Sequence, residues 1–223
     1  MKKIISILVL LCTALLTVHA ERVIVGAEQT KQYLPLLKNK RVALLSNHTG
    51  IIIQIKNERR EAKNDTIHTL DWLLQHGVEV TAIFSPEHGF RGTAREGELV
   101  ASSVDEKTGI PILSLYDGKS KRPSKEAMQT FDVLITDIQD VGLRFYTYYV
   151  TMYRLMDVCA QEGKQFMVFD RPNPNGYYVD GPILDMKHKS GVGALPIPVV
   201  HGMTLGELAL MINGERWLSD SLQ

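Results

Sequence analysis

The sequence predicts an α/β fold, a Rossmann-like three-layer domain with a mainly parallel sheet. Five short apolar runs each end in a cluster of polar residues, and helical segments lie between most of them. Continuous apolar runs bounded by turn residues are typical of strands that are buried on both faces. Strands that alternate with helices form parallel sheets covered by helices. The five predicted strands are residues 41–45, 80–84, 112–115, 133–135 and 166–169.

The polar clusters that follow the strands predict where a ligand binds. Parallel strands point the same way, so their carboxyl ends share one edge of the sheet, and open α/β sheets bind ligands at that edge. The cluster after the second strand, Ser-Pro-Glu-His-Gly-Phe-Arg-Gly at residues 85–92, is the richest in reactive side chains. We expect it to form the centre of the site.

The first half of the chain predicts two helices and two irregular segments. Residues 28–37 are expected to be helical, and residues 51–65 become highly charged, which predicts a solvated loop. Thr66 is expected to cap a helix that ends at Gly77. Residues 91–109 are polar without clear periodicity and are expected to form a loop or a short helix.

The second half of the chain predicts three helices. Residues 123–128 form a brief one that opens with Pro-Ser. Apolar residues at helical spacing predict a second helix over residues 145–163, which packs against the sheet and buries Cys159. Residues 204–207, Thr-Leu-Gly-Glu, fit a capping box that opens the third helix.

Residues 1–20 have the layout of a secretory signal, with a basic start, an apolar stretch and small residues before a cut after Ala20. This pattern predicts a periplasmic or secreted protein. The Rossmann-like domain is expected to span residues 21–215, and residues 216–223 are expected to begin a C-terminal domain that is truncated or missing. A lipid anchor at Cys12 is the weaker alternative, because the preceding residue is not the small one that a lipoprotein signal needs.

Composition and motifs argue against several kinds of partner. Acidic and basic residues balance at 25 each, which favours neither nucleic acid nor an anionic membrane. No G-x-G-x-x-G follows a strand, and residues 118–120, Gly-Lys-Ser, lack the first glycine of a phosphate loop. We therefore expect no nucleotide and no cofactor. A metal ion is the weaker alternative, because His48, His88 and His201 have no paired spacing.

Glu87 is the leading candidate for catalysis. It lies in a tight turn at a strand end, where partial desolvation raises the pKa of a carboxyl group and suits it to donate a proton. The alternative is that Glu87 braces the loop by accepting backbone hydrogen bonds. Arg91 either binds a substrate carboxylate or pairs with Glu96 or Glu98.

Two more carboxyl groups, Asp137 and Asp140, follow the fourth strand. With Glu87 they resemble the paired carboxylates of glycosidases, although an aspartate at a strand end also caps turns. Asp170 and Arg171 either pair with each other or bind substrate. The remaining polar candidates on the same rim are Asn47, His48, His88, Arg144, Tyr146, Tyr148, Asn173 and His201.

Four motifs occur together and in order, and as a set they resemble one known family. They are Leu-Ser-Asn-His-Thr-Gly at residues 45–50, the motif at residues 85–92, Asp-Ile-Gln-Asp-Val-Gly-Leu-Arg-Phe-Tyr-Thr-Tyr at residues 137–148, and Asp-Arg-Pro-Asn-Pro at residues 170–174. The set resembles the NamZ-like exo-β-N-acetylmuramidases of bacteria, long catalogued as a domain of unknown function. The resemblance covers essentially the whole mature chain.

The resemblance implies a glycoside hydrolase that releases N-acetylmuramic acid from the non-reducing end of peptidoglycan fragments without a cofactor. It implies that Glu87 is the general acid. The second catalytic group stays open between Asp137, Asp140 and the 2-acetamido group of the substrate itself. Tyr146 is a further catalytic candidate. The residues implied to line the cleft are His48, Asp140, Arg144, Tyr146, Arg171 and Asn173.

The sugar's lactyl carboxylate needs a cation, which the resemblance implies is Arg91, Arg144 or Arg171. Family members carry a further C-terminal domain, and the cleft lies between the two domains, so docking with such a domain is expected. Two alternatives to this function are a non-catalytic module that binds muropeptides and a metal-dependent hydrolase.

Overall fold

The computed structural model describes residues 22–54, 65–87, 89–90, 102–115, 122–220 and 222. Within these ranges the strands are β1 Arg41–Ser46, β2 Ile51–Gln54, β3 Asp65–His68, β4 Glu79–Ser85, β5 Ser103–Val104, β6 Pro111–Ser114, β7 Val133–Asp137 and β8 Gln165–Val168. The helices are α1 Thr30–Leu37, α2 Thr69–Gln75, α3 Lys125–Gln129, α4 Tyr148–Gln161 and α5 Leu205–Gly214, and short 3-10 turns cover Gly26–Glu28 and Met186–His188. None of the helices in this part of the chain combines the length and the apolar character that crossing a membrane requires.

Six strands form one sheet in the order β5-β6-β4-β1-β7-β8. Every neighbouring pair is parallel except β5 and β6, which are antiparallel. The five predicted strands are all present, so the predicted Rossmann-like, mainly parallel sheet is confirmed. The strand order reverses between β1 and β7, and such a reversal opens a crevice at the carboxyl ends of the strands. Ser46 of β1 lies opposite Asp137 of β7, so the polar segments after these two strands border the crevice.

Apolar side chains of the central strands pack on both faces of the sheet, as their continuous hydrophobic pattern predicts. Ala43 and Leu45 of β1 belong to the core half that contains α4 and α5. Val42 and Leu44 belong to the half that contains α1 and α2. Successive side chains on a strand point to opposite faces, so one strand supports both layers and its end is held in a fixed place.

The segment predicted as a solvated loop, residues 51–65, contributes to an antiparallel hairpin of β2 and β3. Ile52 is buried in the core, whereas its neighbours Ile51 and Ile53 are partly exposed, which is the alternation of a half-buried strand. The loop prediction depended on the charged residues 56–61, and these lie outside the described ranges. The loop prediction was therefore wrong for residues 51–54 and for residue 65.

A further strand comes from residues 91–109, which were expected to form a loop or a short helix. Ser103–Val104 forms β5 and pairs with Ile112 and Pro111 of β6. Residues 91–101 of this segment lie outside the described ranges. Two strand residues are too few to leave a periodic signal in the sequence.

The late starts of α2 and α4 have a tertiary cause. His68 caps α2, because its Nδ1 accepts a hydrogen bond from the backbone N–H two residues later, over 3.1 Å. Thr66 lies in β3 instead of capping the helix, because pairing with β2 holds it extended. α4 begins at Tyr148, and Phe145 lies before it with 58% of its surface exposed. The segment before α4 is instead tied to the strand-like residues 199–200.

The other helix predictions are confirmed, although α1 and α3 each begin two residues later than predicted. The Ser124 hydroxyl caps α3 by accepting a hydrogen bond from the Ala127 N–H over 3.2 Å. Thr204 and Glu207 form the predicted capping box of α5. Cys159 is buried and forms no disulfide, and its burial raises the pKa of the thiol to about 12.

Replacing Thr204 by alanine is expected to lower the free energy of unfolding by about 1–2 kcal/mol, the typical cost of removing a helix cap. The hydroxyl accepts a hydrogen bond from the Glu207 N–H and donates one of 2.7 Å to Asp170 Oδ2, and both bonds are lost. Chemical denaturation measures the change. Thr30→Ala is the matched control, because Thr30 opens α1 and is not its cap. An equal loss in the two variants would contradict the prediction.

Candidate active site

Glu87 lies just after β4, at the edge of the sheet where the sequence predicts it. The side chain is half-buried, and Oε2 accepts a hydrogen bond of 2.8 Å from the Thr147 hydroxyl. Thr147 belongs to the segment that leads from β7 into α4, and β1 lies between β4 and β7 in the sheet. The bond therefore fixes one carboxylate over the end of the central strand.

Two tyrosines flank Thr147, the residue that binds this carboxylate. The rings of Tyr146 and Tyr148 are 4.9 Å apart in an edge-to-face arrangement. Burial, together with the smaller effects of the Tyr146 and Glu87 charges, raises the pKa of Tyr148 to about 12, against the lowering effect of a hydrogen bond with Asn47. Burial also raises the pKa of Tyr146, although 36% of this side chain is exposed. Both phenols therefore stay protonated near pH 7, and Tyr146 is open to a ligand.

Asp140 lies in the loop after β7 and is only 5% exposed. Its Oδ1 accepts a hydrogen bond of 2.7 Å from the Gly142 N–H. Burial raises the pKa of Asp140 to about 6, against the lowering effect of the Gly142 and Val141 backbone N–H groups. The negative charge of Asp140 in turn raises the pKa of Tyr146, so the two groups share one site.

His201 faces Asp140 from the loop that precedes α5. Its Nε2 lies 4.0 Å from Asp140 Oδ1. Nδ1 accepts a hydrogen bond of 3.3 Å from the Met203 N–H, which leaves the proton of the neutral ring on Nε2. Burial lowers the pKa of His201, so the ring is neutral near pH 7. Asp140 Oδ2 and His201 Nε2 are buried without a hydrogen-bond partner among the described residues.

Three loops interlock at Gly142. This glycine has a φ of +72°, and a Cβ atom there would come within 2.3 Å of Asn173 Nδ2, so only glycine fits. The amide of Asn173 donates a hydrogen bond to Met203 O and accepts one from the Asn175 N–H, each of 2.9 Å. Asn173, predicted to bind substrate, thus has both ends of its amide bound to the backbone.

Asp137 and Arg171 form a buried ion pair. Arg171 Nε and Nη2 lie 2.6 Å and 3.1 Å from the two Asp137 oxygens, and the Thr69 hydroxyl also donates to Asp137. Arg171 Nη2 further donates to Ile51 O over 2.9 Å, which holds the β2–β3 hairpin. Both oxygens of Asp137 are therefore occupied. The pairing of Arg171 with Asp170, one of the two predicted alternatives, is wrong.

Asp170 and Arg144 are bound to backbone groups. Asp170 Oδ1 accepts a hydrogen bond of 2.8 Å from the Gly206 N–H in the first turn of α5, where a negative charge is favourable. Arg144 Nη1 donates to Pro182 O over 2.8 Å and to Ile197 O over 2.7 Å. Arg144 thus connects the loop after β7 to the irregular segment between β8 and α5, whereas Asp170 connects the end of β8 to the start of α5.

Asn47 ties the loop after β1 to the loop after β7. Its Oδ1 accepts hydrogen bonds from the backbone N–H and the hydroxyl of Thr49, and that hydroxyl accepts one of 3.0 Å from the Gln139 N–H. His48 is exposed on the same rim. The two predicted site residues outside the described ranges are His88 and Arg91.

The structure adds two threonines that the sequence did not single out. Thr147, which binds Glu87, lies within the motif at residues 137–148, so a signal was present. Thr69, which binds Asp137, opens α2 far away in the sequence, and nothing in its surroundings points to that contact.

The stability difference between the protein and its Asp140→Asn variant is expected to change with pH. The pKa of Asp140 in the folded protein is about 6, above the usual value of 3.8. Asp140 therefore contributes stability that is fully present below pH 3.8 and is lost as the pH rises through about 6. A gap of about two pKa units corresponds to about 3 kcal/mol. Since asparagine does not titrate, the variant should gain on the order of 2–3 kcal/mol relative to the parent between about pH 4 and pH 7.

Urea denaturation across this pH range measures the difference. Asp185→Asn is the control, because Asp185 is exposed in an ion pair with Lys187 that lowers its pKa. Its stability difference should change in the opposite direction with pH. A difference for Asp140→Asn that does not vary with pH would contradict the prediction.

The fold and the site together define a Rossmann-like α/β protein with acid residues at the carboxyl-end edge of its sheet. That edge carries a half-buried glutamate, a pair of tyrosines and a buried aspartate–histidine pair. Within the described ranges no group of three or more His, Cys, Asp or Glu side chains is arranged to hold a metal ion.

Comparison with known proteins identifies the family of this chain. The family described as "Exo-beta-N-acetylmuramidase NamZ, N-terminal" matches residues 42–223. The chain is 45% identical over 185 residues to the peptidoglycan beta-N-acetylmuramidase NamZ of Bacillus subtilis (strain 168), which covers 82% of this chain and 42% of that protein. The chain belongs to the NamZ N-terminal family, and the resemblance inferred from the four motifs is confirmed.

Two crystal structures of DUF1343 family proteins from Bacteroides fragilis NCTC 9343 share the fold. One has a TM-score of 0.75 at 57% identity and covers 91% of this chain and 51% of the other. The second has a TM-score of 0.76 at 38% identity and covers 89% of this chain and 47% of the other. The chain thus spans about half the length of the relatives it matches.

Proposed function

We propose that this protein is a glycoside hydrolase that releases N-acetylmuramic acid from the non-reducing end of peptidoglycan fragments. The observation that carries the proposal is the placement of Glu87. Its carboxyl group is half-buried and is held by Thr147 at the carboxyl-end edge of the sheet, and its charge acts on Tyr148, whose ring contacts that of the partly exposed Tyr146. A second carboxyl group, Asp140, lies on the same edge. Membership of the NamZ N-terminal family supports the substrate class.

In the proposed reaction Glu87 donates a proton to the leaving-group oxygen as the bond from that oxygen to the anomeric carbon breaks. Water then forms the new bond to the anomeric carbon, either directly or after the 2-acetamido oxygen of the substrate has attacked it first, and the proton that the water gives up passes to a carboxylate of the site, Glu87 or Asp140. The ionised Asp140 stabilises the positive charge that develops on the sugar ring. Tyr146 contacts the substrate, whereas Asp137 and Arg171 hold the floor of the cleft.

The proposal includes where the protein acts and what covers its cleft. Peptidoglycan lies outside the cytoplasmic membrane, which agrees with the secretory pattern of residues 1–20. The relatives of this protein are about twice as long as the chain. A further domain that docks at the carboxyl-end edge of the sheet would bury apolar side chains there. Three apolar side chains in the segments that follow β7 and β8 are exposed: Phe145 at 58%, Tyr177 at 82% and Ile183 at 67%. Exposed apolar side chains mark a docking surface where they form one contiguous patch.

The proposal is tested with two chromogenic sugars. The purified protein should release 4-nitrophenol from the β-N-acetylmuramide and not from the β-N-acetylglucosaminide, which lacks the lactyl ether. Glu162→Gln, a change at the exposed end of α4, should behave as the parent. Calorimetric binding of a muropeptide without any turnover would contradict the hydrolase and support a binding module instead.

A further inference from the structure

The pair of Asp140 and His201 carries an inference that rests on the proposed function and deepens it. Both side chains are at least nine-tenths buried, and each has a polar atom without a hydrogen-bond partner among the described residues. Most buried polar atoms in proteins are paired, because an unmade hydrogen bond is costly. Two such atoms on facing side chains at the rim of a cleft are unusual for a purely structural contact.

His201 is held so that one ring nitrogen faces the carboxylate. Its backbone N–H donates to Gly142 O over 3.1 Å, and Nδ1 accepts from the Met203 N–H over 3.3 Å. The ring cannot turn over without breaking the second bond. Nε2, which carries the proton, is therefore fixed 4.0 Å from Asp140 Oδ1.

The other groups around Asp140 compensate its charge only in part. The Gly142 and Val141 backbone N–H groups favour the ionised form, whereas burial opposes it more strongly. The negative charge of Asp140 raises the pKa of two phenols, those of Tyr146 and of Tyr149 on α4. Among the described residues no Lys or Arg forms a salt bridge with Asp140. His201 thus supplies the side-chain N–H that faces the carboxylate from another loop.

We propose that His201 is a positioning residue of the hydrolase, whose Nε2–H keeps the Asp140 carboxylate ionised and directed toward Tyr146 and the reacting sugar. An N–H group that faces a carboxylate favours its charged form. A charged carboxylate near the sugar stabilises the oxocarbenium-like transition state. The lower pH limit of activity therefore depends on a side chain that does not touch the substrate.

The pH dependence of kcat/KM separates this role from a structural one. The parent should lose activity as the pH falls below about 6, where Asp140 takes up a proton. In His201→Leu this loss should begin about one pH unit higher, so that kcat/KM falls about tenfold at pH 6 and recovers above about pH 8. His201→Gln, whose amide keeps an N–H group, should retain the parent profile. A loss of equal size at every pH would overturn the proposal.

His76→Leu is the matched control, since His76 is exposed at the end of α2, at the opposite edge of the sheet. It should have the profile of the parent. If it shifts the profile as much as His201→Leu does, the proposal is overturned.

A carbon NMR titration tests whether Asp140 and His201 are coupled. It needs neither an activity measurement nor a His201 variant. With Asp labelled at Cγ, the signal missing from Asp140→Asn identifies Asp140. In the parent this signal should show its own titration and a second, smaller step when His201 takes up a proton. Absence of the second step overturns the proposal. If the parent releases no sugar, the proposed function fails, whereas the titration still decides whether His201 controls Asp140.

Discussion

Replacing Glu87 by glutamine is expected to lower kcat by about 10²–10⁴-fold on a natural disaccharide, the contribution typical of a positioned general acid. The amide keeps the size of the side chain and can still contact the Thr147 hydroxyl. It cannot supply a proton. The loss should be much smaller with a 4-nitrophenyl glycoside, because nitrophenolate departs without protonation. The ratio of the two losses therefore tests the role of Glu87 directly.

The control for this experiment is Glu162→Gln, which makes the same chemical change at an exposed helix end. It should leave both rates at the parent value. Equal losses on the two substrates in Glu87→Gln would mean that Glu87 does not donate the proton. Its role would then be to brace the loop, the alternative that the sequence leaves open.

Replacing Arg171 by leucine is expected to destabilise the protein by about 3–5 kcal/mol, because it leaves a buried carboxylate without its partner. Asp137 is fully buried, and the Arg171 side chain is only 8% exposed. The variant also loses the bond to Ile51 O that anchors the β2–β3 hairpin. Urea or guanidinium denaturation near pH 7 measures the change.

A matched control exists in Arg41, whose pair with Asp132 lies in solvent, with side-chain exposures of 41% and 37%. Arg41→Leu should cost much less than Arg171→Leu, because solvent screens an exposed ion pair. Removing both partners, as in Asp137→Leu with Arg171→Leu, should cost less than Arg171→Leu alone, since no unpaired charge remains. If Arg171→Leu and Arg41→Leu cost the same, the ion pair contributes little to stability.

Much of the fold follows from local patterns in the sequence. The apolar runs gave all five parallel strands, and the capping residues Ser124 and Thr204 begin helices as predicted. The hairpin was missed because its two strands are short and flank a charged run. The start of α2 was misplaced because Thr66 is a good cap by type, whereas strand pairing determines its conformation.

The site was harder to predict than the fold. Asp137 and Asp140 are identical in type and lie at the end of the same strand, so their spacing does not distinguish them. The difference comes from distant residues: Arg171 and Thr69 occupy the oxygens of Asp137, whereas Asp140 faces a histidine. Motifs locate a cleft, and tertiary contacts assign the roles of its side chains.

The buried thiol of Cys159 has a consequence for a protein that we propose is exported. A thiol with a pKa of about 12 carries almost no thiolate near pH 7, and thiolate is the form that oxidants and disulfides attack. In the folded state the Cys159 thiol is therefore not expected to undergo disulfide exchange or to form a disulfide between two copies of the protein. The packing of the core around Cys159 therefore does not depend on whether the surroundings are oxidising or reducing.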